Sequence, residues 1–197
     1  MGKAKFLKSA VLPEDYPAGD RPELAMVGRS NAGKSSLLNA LCGGSKIAKV
    51  SGTPGKTRLV NFFDVGAHYR LVDLPGYGYA AAAKTKVAAW TELIRAYLRG
   101  RANLGRVYVL VDARHGIMAP DEAVFDLLDE AAVSYQVVLT KADQVTDEAL
   151  AQVRDTTAAA LAKRKAAYPE VLATSARDRS GIVELRAAVA KLVAERG

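Results

Sequence analysis

The sequence predicts an α/β domain: a mixed, mostly parallel six-stranded sheet with one antiparallel strand and helices on both faces. Short β-rich apolar runs alternate with segments of helical periodicity, the pattern of βα units wound around a parallel sheet. Four of these runs, Leu24 to Val27, Val107 to Val111, Val137 to Leu139 and Val171 to Ala173, are continuously apolar, as strands covered on both faces are. Two more, Leu59 to Val65 and Tyr69 to Leu74, are separated only by Gly66, Ala67 and His68. That gap is too short for a crossover helix, so the pair is expected as an antiparallel hairpin.

The helices follow from apolar spacing. Val87, Trp90, Ile94, Tyr97 and Leu98 share one face, as do Ile182, Leu185, Val189, Leu192 and Val193. Pro120 ahead of Asp121 and Glu122, and Thr146 ahead of Asp147 and Glu148, mark helix starts, because proline is tolerated in the first turn and acids there favour the dipole. Leu37 to Leu41 continues a glycine-rich stretch as a short apolar helix. The segments Gly43 to Arg58 and Pro75 to Lys84 lack periodicity and read as loops.

At 197 residues the chain fits one domain, expected over 23–197, with 1–22 as a basic N-terminal extension. A 50% hydrophobic and 25% charged composition is that of a globular domain and excludes wholesale disorder. Lys and Arg exceed Asp and Glu by 28 against 21, a net +7 that suits an anionic partner. The single cysteine, Cys42, excludes an internal disulfide, and His68 and His115 offer no metal spacing with it. A cytoplasmic protein is expected. No signal peptide or membrane span is expected, since the amino terminus lacks a long apolar core and no stretch reaches roughly 18 apolar residues, and lipidation is not expected, since position 6 is Phe6 rather than Ser or Thr.

Behind the first strand stands Gly28-Arg29-Ser30-Asn31-Ala32-Gly33-Lys34-Ser35, followed by Ser36, which matches G-x-x-x-x-G-K-[ST] between a strand and a helix. Glycines there let backbone N–H groups converge on phosphate oxygens. Lys34 reaches the β- and γ-phosphates, and Ser35 ligates magnesium. Asp73-Leu74-Pro75-Gly76 ends the second hairpin strand, placing a carboxylate near that metal and a glycine N–H near the γ-phosphate. Thr140-Lys141-Ala142-Asp143 follows a buried strand at the sheet edge where such folds bind ligands. A carboxylate at Asp143 can accept N1–H and the exocyclic amine of guanine, and adenine presents no such donor pair. Thr174-Ser175-Ala176 follows the last strand, where a backbone N–H can meet guanine O6. The motifs together specify a P-loop G domain that binds GTP.

Three longer strings, GRSNAGKSSLLNAL, SGTPGKTRLVNFF and DLPGYGYA, supported by VDARHGI, resemble the bacterial ribosome-assembly GTPases of the EngB type over nearly the whole chain. The resemblance implies a monomeric GTPase that binds GTP and GDP with Mg2+ and assists maturation of the large (50S) ribosomal subunit. Its partner would be that subunit and its rRNA, not DNA or a membrane. The family's loss is linked with failed cell division and septation. By the same resemblance Thr57, within Pro54-Gly55-Lys56-Thr57, would be the switch threonine on magnesium, with Thr53 as its rival. Asp73 and Gly76 would form the second switch. Lys34, Thr57, Gly76 and Asn31 would carry the reaction.

Tyr77 stands where Ras-like enzymes place the glutamine that orients water, so slow intrinsic turnover is expected, stimulated by potassium or the ribosome. Asn31 occupies the position that ligates potassium in related GTPases; alternatively it serves a strained loop conformation. Basic residues at Lys3, Lys5 and Lys8, at Arg95, Arg99, Arg101 and Arg106, at Lys163 to Lys165, and at Arg177 and Arg179 are candidate RNA contacts. Trp90 and Tyr97 are candidate stacking aromatics or core residues, and their helix face favours the core. The alternative function is a Ras-like switch acting on a protein partner.

Overall fold

A computed structural model describes residues 4–43, 59–78 and 84–196. Thr53, Gly55, Lys56 and Thr57 of the first switch, and Lys3, lie outside the described residues. The strands are β1 (Ala4–Ala10), β2 (Glu23–Gly28), β3 (Val60–Val65), β4 (Tyr69–Asp73), β5 (Leu104–Asp112), β6 (Tyr135–Thr140) and β7 (Leu172–Ala173). The helices are α1 (Lys34–Leu41), α2 (Lys84–Gly100), α3 (Ala119–Glu130), α4 (Asp147–Leu161) and α5 (Ile182–Ala194). Strand order across the sheet is β1-β3-β4-β2-β5-β6-β7. Strand β2 pairs in parallel with β4 and β5, and β5, β6 and β7 continue in parallel. Only β3 runs against the rest, antiparallel to both β4 and β1.

The sheet therefore has seven strands rather than the six expected, and the extra one, β1, comes from the stretch read as an extension ahead of the domain. Its sequence AKFLKSA hides the signal for a physical reason. As an edge strand it leaves Lys5, Phe6 and Leu7 exposed, and a bulge between Phe6 and Lys8 breaks the alternation. Lysines and bulges of this kind protect an edge from pairing with another chain.

Side chains on the central strands alternate between two core layers, as the period of a strand requires. Ala25, Val27, Val107 and Val109 face α2 and α3 through Trp90, Ile94, Tyr97, Phe125 and Leu128. Leu24, Met26, Tyr108 and Leu110 face α1 and α5 through Leu37, Leu41, Leu185 and Val189. Tyr97 is fully buried and Trp90 is 7% exposed, so both aromatics are core residues, not free stacking platforms. Thr146 caps α4 by accepting the Ala149 N–H at 3.2 Å. Below the sheet, opposite the site, fully buried Glu23 gathers Arg70, Arg101 and the Tyr97 hydroxyl. Among the described residues no helix is long and apolar enough to cross a membrane.

Burial also fixes an alkaline limit. It pushes the Tyr108 phenol up to about 12 and the Cys42 thiol up to about 11, and it holds Tyr77 and Tyr97 well above their ordinary value, helped by the carboxylates beside them. The unfolded chain would ionise these phenols near pH ~10 while the native state keeps their protons. Stability is thus fully present below that pH and falls as pH rises through it toward the native values. Denaturant midpoints are expected to drop between pH 9 and 11; a midpoint that holds or rises there would contradict the burial argument.

Candidate nucleotide-binding site

Strand β2 delivers Gly28 to the carboxyl edge of the sheet, where a larger residue would be crowded: a Cβ would lie 3.0 Å from the Leu110 side chain and 3.1 Å from its carbonyl oxygen. The chain then turns through left-handed conformations at Asn31 (φ +66°) and Gly33 (φ +85°) before α1 begins at Lys34. Asparagine tolerates that region better than most residues, which accounts for Asn31 in the loop, and its side chain is exposed beside it. Ala32 is buried, and its carbonyl accepts the Thr140 hydroxyl at 2.6 Å.

Lys34 forms an ion pair with Asp73 at the end of β4, with side-chain exposures of 14% and 3%. The other carboxylate oxygen accepts the Asn61 amide at 3.4 Å, and Asn61 is itself oriented by the Ser9 hydroxyl at 2.6 Å. Motif reading missed Asn61 and Ser9. Counting the hairpin register back from Gly66 would have found the first, since Asn61 lies directly opposite Asp73.

Gly76 is pressed against the phosphate loop, where a Cβ would lie 3.2 Å from the Gly28 carbonyl. Tyr77 donates its N–H to Gly28 at 3.3 Å and accepts the Ser30 N–H at 2.8 Å, so the Ser30 amide is used within the protein. The Tyr77 phenol does not face the phosphate loop. It is buried against Trp90 and donates to Asp121 at 2.7 Å.

Lys141 sits in a left-handed conformation (φ +57°) and spans two elements, donating to the Asn31 carbonyl at 2.6 Å and to Asp112 at 2.9 Å. Burial opposes ionisation of Asp112. Hydrogen bonds from Arg114 and Lys141 outweigh it and hold the carboxyl well below the usual range. Asp112 and Arg114 were visible only as part of a string; their job of bracing Lys141 depends on β5 and β6 lying side by side.

Asp143 accepts the Ser175 hydroxyl at 2.7 Å on one oxygen. Its second oxygen is buried with no hydrogen-bond partner among the described residues, and Arg177 stands 3.9 Å away. Asp143 is one of the residues that line a cavity of about 280 Å³, with Gly33, Ser36, Thr140, Lys141, Thr174 and Ala176. The Ala142 N–H bonds the Thr174 carbonyl at 3.1 Å, tying the loop after β6 to the loop after β7. Gly181 (φ +68°) supports the same loop, because any Cβ there would run into the Ala173 carbonyl oxygen. An unpaired buried carboxylate oxygen costs free energy unless a ligand donor meets it, and a guanine edge supplies two such donors. Among the described residues no cluster of His, Cys, Asp and Glu could hold a metal alone. Ser35 and Asp73 do bring a hydroxyl and a carboxylate to the end of the phosphate loop, the hard oxygen donors that magnesium accepts alongside phosphate and water.

A phosphate loop, a braced lysine and a cavity lined by Asp143 and Thr140, ordered along one sheet edge, define a P-loop GTPase. The family model described as 50S ribosome-binding GTPase matches residues 23–141, and that of the elongation factor Tu GTP binding domain matches 91–195. Probable GTP-binding protein EngB of Rhodopseudomonas palustris strain BisA53 is 54% identical over 197 residues, 99% of this chain and 91% of the relative. The protein of the same name from Bradyrhizobium diazoefficiens is 54% identical over 194 residues, 98% of this chain and 89% of its own. The chain belongs to the EngB family of GTP-binding proteins. A crystal structure of a probable EngB shares the fold at a TM-score of 0.71 and 21% identity, covering 88% of this chain and all of that one. Era bound to MgGDPNP and nucleotides 1506–1542 of 16S ribosomal RNA shares it at 0.66 and 21%, covering 87% and 56%.

Proposed function

We propose that this GTPase is a switch that assists assembly of the large ribosomal subunit and through it sustains cell division. The observation that carries the nucleotide reading is the cavity that Asp143, Thr140, Lys141 and Ala176 line together with Gly33 and Ser36 of the phosphate-loop segment, whose Lys34 pairs with Asp73. In this reading Lys34 leaves Asp73 for the β- and γ-phosphates, while Ser35, Asp73 and Thr57 hold magnesium. When bound, that ion neutralises charge on the phosphates as the terminal bond breaks. Asp143 and the Ser175-Ala176 backbone read guanine. Thr57 and Gly76 sense the γ-phosphate, and an exposed Asn31 amide oxygen is available to potassium.

The name of the matching family points to the ribosome, and the charge distribution narrows which residues meet RNA. Several of the candidate cations are engaged within the protein. Arg101 is buried on Glu23; Arg164 pairs with Glu122, Asp126 and Asp129; Arg95 and Arg99 pair with Glu130; Arg106 stacks on Tyr168 at 3.8 Å. A larger cavity of about 620 Å³ beside Arg164 is lined by the paired Glu122, Asp129 and Arg164 together with Ala160, Lys163 and Lys165. Lys5, Lys8, Lys163 and Lys165 form no ion pair among the described residues. They are the residues we assign to phosphate neutralisation, each worth about one unit of salt slope.

Co-sedimentation with purified large subunits tests the proposal. Binding is expected with a non-hydrolysable GTP analogue, weaker with GDP, weakened by Thr57→Ala, and less salt-dependent in Lys5→Glu/Lys8→Glu. Association that ignores the nucleotide, or none at low salt, would overturn it.

A further inference from the structure

We infer that Trp90, Tyr77 and Asp121 are positioning residues that fix the direction of the Gly76 N–H, and thereby set the preference for a nucleoside triphosphate over a diphosphate. The inference rests on the reading above, in which Gly76 senses the γ-phosphate.

The geometry is that of two consecutive peptide groups, each pinned by an atom outside the loop. The first peptide joins Pro75 to Gly76. Its carbonyl accepts the Trp90 indole N–H at 2.8 Å. The protein has no cis peptide bond among the described residues, and a trans peptide is planar with C=O and N–H pointing opposite ways. Holding the Pro75 carbonyl toward Trp90 therefore aims the Gly76 N–H away from the core. The second peptide joins Gly76 to Tyr77, and its N–H bonds the Gly28 carbonyl at the start of the phosphate loop. With both peptides held, the only freedom left to Gly76 is the small motion that these bonds allow.

The anchors are themselves braced. Trp90 and Tyr77 pack ring against ring with centroids 5.4 Å apart, so the indole cannot turn without displacing the phenol. The phenol is tied to Asp121, which is 1% exposed and whose other oxygen accepts the Met118 N–H at 2.8 Å at the start of α3. Arg29 of the phosphate loop reaches back to the Met118 sulfur. The glycine that meets the γ-phosphate is thus held by α2 through Trp90 and by α3 through Tyr77. A residue after Gly76 that cannot orient water is accounted for: its side chain serves the peptide ahead of it.

An N–H aimed at the γ-phosphate contributes to triphosphate binding and nothing to diphosphate binding, whereas a purely structural residue would weaken both. Fluorescent mant-GDP and mant-GppNHp are the probes, titrated against wild type, Trp90→Phe, Tyr77→Phe and Asp121→Asn with direct excitation of the mant group. Trp90→Phe keeps an aromatic ring and removes the indole donor; Tyr77→Phe removes only one hydroxyl. The expected result is GppNHp affinity lowered by about tenfold in Trp90→Phe and by roughly threefold in the other two, as for a weakened bond to a charged acceptor, with GDP affinity within about twofold of wild type. Equal losses for both nucleotides, or no loss for either, would overturn the inference while leaving the GTPase reading intact. Failure of the wild type to bind either probe would overturn both. If Trp90→Phe does not fold, Tyr77→Phe decides by the same ratio.

Discussion

Asp143→Asn is expected to lower GTP affinity by about 10⁴-fold and to confer binding of xanthosine triphosphate, the range by which a polar-paired site rejects a ligand that leaves its groups unmet. One carboxylate oxygen is already satisfied by the Ser175 hydroxyl, and an asparagine oxygen would satisfy it equally. The change therefore falls on the second oxygen, which is buried and has no hydrogen-bond partner among the described residues. Substituting an amide –NH₂ there places a donor opposite the guanine N1–H and amine, donor against donor. Xanthine has a carbonyl where guanine has the amine, and meets the amide as an acceptor. Competition titrations with GTP, XTP and ATP check it. GTP binding by Asp143→Asn at wild-type strength would show that the base lies elsewhere.

Glu23→Gln is expected to cost about 3–5 kcal/mol, a large share of the roughly 5–15 kcal/mol that holds a domain together. Glu23 is wholly buried and serves three donors: Arg101, with Nε at 3.0 Å; Arg70, with Nη1 at 3.3 Å; and the Tyr97 hydroxyl at 3.1 Å. Neither guanidinium has a way out, since their side chains are 4% and 8% exposed. Neutralising the shared carboxylate leaves two buried cations with one partner fewer, the costly way to break such a cluster. The same arginines hold the carbonyls of Pro17 and Ala18, so the segment leading into β2 should loosen with them. A melting temperature lower by roughly 10 °C is expected at this chain length. A shift under about 2 °C would mean the arginines find new partners.

The sequence by itself determined whatever is written over a few consecutive residues. The order of strands and helices follows from periods of two and 3.6. The hairpin follows from a three-residue gap, and the phosphate and guanine strings are contiguous because each is a single loop at a strand's end. Composition likewise recorded the excess positive charge. It could not say that Arg101 and Arg164 are occupied internally, because their partners stand 78 and 35 to 42 residues away along the chain.

The same limit hid the rest. Strand β1 shows little alternation because an edge strand keeps little of its surface from water, so polar residues are as acceptable as apolar ones on it. Asn61 reaches Asp73 only through the pairing of β3 with β4, and Lys141 reaches Asp112 only because β5 lies beside β6. Tyr77, which stands in the sequence where Ras-like enzymes place the water-orienting glutamine, is turned inward by a carboxylate 44 residues later on α3. Local propensity acts over a turn or two; which distant polar atoms meet is decided by chain reversal, strand order and the need to satisfy every buried hydrogen-bonding group at once.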